Sequence, residues 1–390
     1  MKSPLAFVRE PVHERGDDSS WNLVVDAMKK HFYQPDLEAV RAAYAAIAAH
    51  ALSDQPVWTM SVAPPGSMKT TILEPLEQFE QVHFIDEVTT NTFLSGQIRG
   101  KSKRTPSLLD RIGKSGVIVI ADFSTILSMK RDDRAAVLAQ FRRIFDGHFH
   151  KEVGTLEGSL DWRGRITCAV AVTKEIDKHF GVFQSLGERF LMVRWPRPGG
   201  EDRGEAAALC AMKQNIEEMR SDLRSAVGKL FNGLFASVTE VTVSADQCTQ
   251  IAALSEFVVR GRTHVSRDSS RDRNLNYVPE AEAPTRLAQQ LCQLAKGSAR
   301  LARRTRVNEL DMRLVRRVGF NCIPSLRWRV LESCLGKDTP GLPGSTESNI
   351  RTDLKCQGIG LLNADHELSE FAIERLSRAG FGRLGLKLLH

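Results

Sequence analysis

The chain has 390 residues, 42% of them apolar and 26% charged, which is ample for a buried core and predicts two or three domains. The formal net charge is +7, and no apolar run reaches the roughly 18 residues of a membrane helix, so neither a membrane span nor a signal peptide is expected. Seven cysteines with no Cys-x-x-Cys pair argue against a zinc site or a disulfide framework and for reduced thiols in a cytoplasmic protein.

Residues 1–20 read as a polar lead-in. Two helical patterns follow, at 21–28 and from Asp36 through Ala51, with Asp36 placed to cap the second. An apolar run, Val57-Trp58-Thr59-Met60, then leads into Ala63-Pro64-Pro65-Gly66-Ser67-Met68-Lys69-Thr70-Thr71. The spacing is that of a phosphate-binding P-loop, Gly-x4-Gly-Lys-Ser/Thr, with Ala63 and Met68 in the two glycine places and Lys69-Thr70 intact. Backbone N–H groups of such a turn point at an anion, and a helix starting at Ile72 would add positive field. Lys69 would reach the outer phosphates of ATP, and the Thr70 hydroxyl would ligate Mg²⁺. Glycine is used where the backbone takes positive φ or approaches phosphate closely, so Met68 is the departure of consequence. A merely structural turn is the alternative.

Val82–Ile85 reads as a second strand. A basic loop (Arg99, Lys101, Lys103, Arg104) and a short helix ended by Gly113 come next. Residues 117–123 read as a buried parallel strand ending in an acid, the form of a Walker B segment, so Asp122 is the Mg²⁺ partner. Phe123 stands where such motifs carry a Glu, which leaves Asp86 or Glu87 as candidates for positioning water. Asp132–Phe145 is an amphipathic helix with Ala136, Leu138, Phe141, Ile144 and Phe145 on or near one face. The glycines of 147–165 suggest a β-hairpin with Lys151 and Arg163 exposed, in which His148, His150 and Asp146 read either as a metal site or as a polar strand start. Another buried strand, 166–173, ends at Thr173, in position to sense a γ-phosphate or simply to end a strand.

The order P-loop, acid-ended strand, hairpin, polar-ended strand and then Gly187-Glu188-Arg189-Phe190 resembles an AAA+ ATPase. More narrowly it is similar to the minichromosome-maintenance-like helicases and their relatives on phages and mobile elements. Pro106-Ser107-Leu108-Leu109, Phe145-Asp146-Gly147 and Trp162-x-Gly164 belong to the likeness, which covers about residues 20–330. The resemblance implies an α/β fold: a P-loop AAA+ core with a parallel sheet flanked by helices, then a helical lid. It implies that Arg189 is an arginine finger reaching a neighbouring subunit's site, with a structural pair to Glu188 as the alternative. It implies further that Arg286, early in a helix running to Leu301, contacts the γ-phosphate. The domains expected are a lead-in (1–55), the core (56–200), the lid (201–322) and a winged-helix-like unit (323–390).

In that last unit a helix starting near Ser345 resembles the recognition helix of a helix-turn-helix, with Asn349, Arg351 and Lys355 facing nucleic acid. Residues 257–330 hold sixteen Lys/Arg against six Asp/Glu, which suggests either a polyanion partner or a helical surface whose arginines are paired locally. Two functions follow. One is an oligomeric ring driven by Mg·ATP that acts on single-stranded or duplex DNA through the hairpin and the basic loop. The other is a non-hydrolysing nucleotide-binding scaffold or adaptor, favoured by Met68 and Phe123, that binds DNA or a protein partner through its C-terminal domain.

Overall fold

The computed structural model describes residues 19–52, 55–95, 98–99, 103–104, 106–152, 159–179, 181, 189–195, 201–235, 240–268, 274–337 and 341–381. Its strands are β1 (Trp58–Val62), β2 (Val82–Ile85), β3 (Ile98–Arg99), β4 (Lys103–Arg104), β5 (Ser115–Ile120), β6 (His148–Glu152), β7 (Ser159–Arg163), β8 (Arg165–Val172) and β9 (Phe190–Arg194). Five of them form one parallel sheet in the order β2-β5-β8-β1-β9. β1, β5 and β8 lie inside it and are buried almost throughout, as strands covered on both faces must be.

One face of the sheet is covered by aromatic packing. Trp58 meets Phe141, Phe145 and Phe190 at ring separations of 5.8, 5.2 and 5.0 Å. Phe141, Phe145 and the buried Leu138 and Ile144 come from the helix Arg131–Phe145. Val137 is buried with them, whereas Ala136 is exposed; the other four expected positions hold, and the larger side chain gains more from burial. Phe123 joins this cluster, against Phe141 and Phe190.

The helix Leu37–Ala48 lies between the sheet and the helix Thr285–Leu301, and most of its residues are buried. Its alanines allow the two helices to cross closely: a Cβ on Gly297 would lie 2.0 Å from the carbonyl oxygen of Ala45. Asp36 caps it by accepting the Ala39 N–H at 3.1 Å. The same carboxylate pairs with Arg317, and Glu38 takes both Arg317 and Arg313. The segment from Asp36 to Ala48 is therefore built into the interior.

The remainder of the described chain is largely helical: Glu201–Met212, Ile216–Phe231, Ala245–Gly261, Glu309–Asn321, Ser325–Cys334, Gly344–Lys355 and Glu370–Arg378. No helix among the described residues is long and apolar enough to cross a membrane, and all seven cysteines are free thiols. β6 and β7 form the expected hairpin, with 153–158 outside the described residues. β3 and β4 make a small ladder where the basic loop was expected; Lys101 and the side chains of Arg99, Lys103 and Arg104 lie outside the described residues.

Candidate functional site

In a parallel sheet, the loops at the carboxyl ends of the strands gather on one edge, and ligands seat where neighbouring strands send their connections in opposite directions. β1 is such a strand. Its chain leaves toward β2 at one margin of the sheet, whereas β8 connects across β1 to β9 at the other. The loop 63–71 rises at that point. The Ala63 N–H bonds to the Val172 carbonyl at 3.2 Å and the Trp195 N–H to the Val62 carbonyl at 3.0 Å, stitching the loop's root to both neighbours.

The loop takes the backbone shape its spacing predicts. Gly66 has φ 73° and Met68 φ 61°. Met68 thus adopts the left-handed conformation for which the pattern uses glycine, one that costs a side-chain-bearing residue roughly 1–2 kcal/mol. It is partly buried against the core. Lys69 is buried, and its ammonium donates to the carbonyls of Ala63 and Pro64 at 2.7 and 2.8 Å. Burial holds its pKa below the usual lysine range, while the charge of Asp122 acts the other way. Lys69 and Asp122 therefore stand within electrostatic reach.

The neighbouring strand ends complete the edge. The Thr70 hydroxyl points at the Ala121 carbonyl, 3.5 Å away. β5 ends at Ile120, so the expected strand to 123 is shorter: Asp122 is exposed, and its Oδ1 accepts the Ser124 N–H at 2.8 Å. Thr173 follows β8 directly, with its hydroxyl 3.5 Å from that of Ser124. Sequence reading missed Ser124, and it missed Tyr44, whose buried hydroxyl donates to the Ile72 carbonyl at 2.7 Å and braces the loop from below.

One expected feature is absent from this segment. The helix anticipated from Ile72 is a single turn followed by the 3-10 helix Glu74–Gln78. Pro75 has no N–H to give the Thr71 carbonyl, and its ring crowds that carbonyl, so an α-helix cannot propagate. The positive field expected of a helix N-terminus is not available here. The anion-binding capacity of the loop rests on its own N–H groups and on Lys69.

Asp86 and Glu87 are exposed at the end of the edge strand β2, three strand spacings or about 14 Å from β1, beyond Asp122. Among the described residues, no group of three or more His, Cys, Asp or Glu could hold a metal. A Mg²⁺ ion would be held by Thr70 and Asp122 together with water and phosphate oxygens, a donor set that suits an ion which keeps much of its hydration. Asp146 pairs with Arg189, while His148 and His150 both face Asp161. Lys151, expected to be exposed, donates to Asn91 and to the Leu94 carbonyl; Arg163 is exposed.

Arg189 and Arg286 lie elsewhere. Arg189 immediately precedes β9, which runs parallel to β1, so it stands at the amino edge, the side opposite Lys69. It pairs with Asp146 at 3.2 Å and lies over the Phe145 ring. Burial first, then the positive charge of Arg286, lowers its pKa, and Asp146 opposes both. Arg286 is thus a neighbour of Arg189, and its own carboxylate is Glu282 at 4.0 Å. Gly187 and Glu188 lie outside the described residues.

The basic stretch is engaged internally. Arg262 pairs with Glu282, Arg267 with Asp353, Arg304 with Asp311, Arg316 with Glu309, and Arg317 with Asp36. Arg300, Arg303 and Arg327 donate to backbone carbonyls. In the C-terminal unit Asn349 and Lys355 are exposed. Arg351, expected to face nucleic acid, turns inward: Glu347 one helical turn earlier, the Cys334 sulfur and the His366 carbonyl hold its guanidinium. No family model matches the chain, and no curated protein matches it.

Proposed function

We propose that this chain is a P-loop ATP-binding protein of the AAA+ kind, resembling the minichromosome-maintenance-like helicases and working as an oligomeric, Mg·ATP-dependent DNA motor. The observation that carries the reading is the cradle itself. A loop with two positive-φ residues, one of them a methionine, sits at the switch point of a parallel sheet, with Lys69, Thr70, Asp122 and Thr173 gathered beside it. Strain of that kind persists where a site requires the shape.

In this reading the loop N–H groups and Lys69 hold the phosphates, and Thr70 and Asp122 hold Mg²⁺, which supplies charge neutralisation at the β- and γ-oxygens when bound. To bind, Lys69 must exchange two carbonyl partners for phosphate oxygens. That exchange is favourable because a charge-assisted bond to an anion is stronger than one to a neutral carbonyl. Thr173 stands where a γ-phosphate would be sensed. Arg189 and Arg286, on the opposite edge, serve a neighbouring subunit's nucleotide, and Arg189 leaves Asp146 to do so. Oligomerisation, as a ring, follows from that separation. DNA is contacted through the hairpin β6–β7, the β3–β4 segment and the exposed face of Gly344–Lys355 that carries Asn349 and Lys355.

A second reading, a nucleotide-binding scaffold without turnover, is favoured by Phe123. Its ring is packed in the core, so the position that would offer a water-polarising acid is occupied by packing. An ATPase assay on purified protein, with and without single-stranded DNA, separates the two. The motor predicts DNA-stimulated turnover that is lost in Lys69→Ala; tight ATP binding with no turnover supports the scaffold and rejects the motor.

A further inference from the structure

Beside the cradle, the carboxyl edge carries a polar junction to which the nucleotide reading gives no task. Arg194, the last residue of β9, lies in register with Val62, one residue before the loop 63–71 begins. Its guanidinium forms a two-pronged pair with Asp177, Nη2 to Oδ1 at 2.7 Å and Nη1 to Oδ2 at 3.0 Å. Its Nε donates to the Asn321 carbonyl at 2.8 Å. The Ser325 hydroxyl donates to Asp177 Oδ2 at 2.7 Å. Arg194 and Asp177 are both largely shielded from solvent.

The geography of these bonds is specific. Asp177 lies in the 3-10 helix Lys174–His179, which starts directly after Thr173. Asn321 ends one helix of the C-terminal region and Ser325 starts the next. The short link between them is fixed further by Cys322, whose sulfur accepts the Met192 N–H at 3.4 Å. One carboxylate thus ties together the strand flanking the cradle, the segment following Thr173 and the entrance to the C-terminal helices. A planar, bidentate pair has a narrow range of allowed geometries, so displacement of any one leg strains the others.

We infer that the Arg194–Asp177–Ser325 clasp transmits occupancy of the phosphate cradle to the C-terminal unit, so that movement of Thr173 or of the loop root on nucleotide binding repositions the helix Ser325–Cys334. This rests on the nucleotide reading. Asp177 and Arg194 are positioning residues in it and do not touch nucleotide. Coupling between sites requires an element that both sites bias, and this clasp is contiguous with both.

The test is amide hydrogen exchange on the full chain with and without Mg·ATP, in the wild type, Ser325→Ala and Asp177→Asn. Ser325→Ala removes one leg only and leaves the ion pair to maintain the fold. In the wild type, Mg·ATP alters exchange in 174–179 and, by about tenfold, in 325–334. In both variants the response in 174–179 persists and that in 325–334 is lost. ATP binding with no wild-type response in 325–334, or with the same response in Ser325→Ala, overturns the clasp and leaves the nucleotide reading standing. Absence of ATP binding in the wild type overturns the nucleotide reading, and the clasp falls with it.

Discussion

The two edges of the parallel sheet are built in opposite ways. At the amino edge, polar groups are matched to fixed partners. His50 is buried between the hydroxyls of Thr167 and Ser115, each 3.0 Å away, and Arg165 donates to the carbonyls of His50 and Leu52. The Trp58 indole donates to the Ile166 carbonyl at 2.7 Å. At the carboxyl edge, the backbone is held in a left-handed turn at a methionine, a lysine shares two carbonyls, and Asp122 is exposed. Fixed pairing marks the amino edge; on the carboxyl edge the matched Arg194–Asp177 pair stands beside a strained cradle. Where polar groups are matched the fold is being stabilised; where the backbone is held in an unfavourable conformation, as at Met68, a ligand is the simplest source of compensation.

Substitutions on the two edges should therefore separate stability from function. The largest effect is expected at Arg189, which with Arg286 is assigned to a neighbouring subunit's nucleotide. Arg189→Ala should lower turnover of the assembled protein by about 10³-fold while ATP affinity stays within about twofold in a binding titration. A comparable loss of affinity would place Arg189 in its own chain's site and break the comparison.

Next in size is the tie between the lead-in and the C-terminal helices. Arg317→Ala strands the Asp36 carboxylate and leaves Glu38 with Arg313 alone, and should cost about 3 kcal/mol of stability in denaturant unfolding, because one partner of a largely buried pair is removed. A change under about 0.5 kcal/mol would show that pair to be a surface ornament.

His50 gives the amino edge a pH signature. Burial, then Arg165, lowers its pKa from 6.5 to about 4. The folded state thus binds its proton less readily than the unfolded chain. Its contribution to stability is complete above pH 6.5 and is lost as pH falls toward 4, by up to roughly 3 kcal/mol. Unfolding curves at pH 7, 5.5 and 4.5 should show this slope in the wild type and a flatter one in His50→Gln.

The smallest effect is at the strained edge. Met68→Gly removes the left-handed penalty and some packing, and should raise stability by about 1 kcal/mol, read as a shift in denaturant midpoint. A loss instead would mean that the side chain, not the backbone shape, is what the loop requires.

Much of the core was legible. Val82–Ile85, the apolar runs of β5 and β8, the cap at Asp36 and the stop at Gly113 follow from local pattern, and the glycine-like shape at Met68 follows from motif spacing alone. What the sequence hid was partnership across distance. Arg317 finds Asp36 and Arg267 finds Asp353 from far along the chain, so much of the charge in a stretch that reads as a surface for polyanions is paired within the chain. Arg351 turns inward for a nearer reason: its helix offers Glu347 four residues back, an arrangement that competes directly with solvent. The truncated helix after Thr71 is signalled in the sequence by Pro75, which lacks the N–H an α-helix would need there. Nothing in the sequence marks Asp177 and Arg194 as a pair.

The central claim is that the loop 63–71 binds a nucleoside triphosphate, and calorimetric titration of the full chain with Mg·ATP tests it most directly. The account predicts saturable binding with one site per chain, weakened at least about tenfold in Lys69→Ala through loss of a charged hydrogen bond. No heat of binding at millimolar Mg·ATP, or equal affinity in Lys69→Ala, would contradict it.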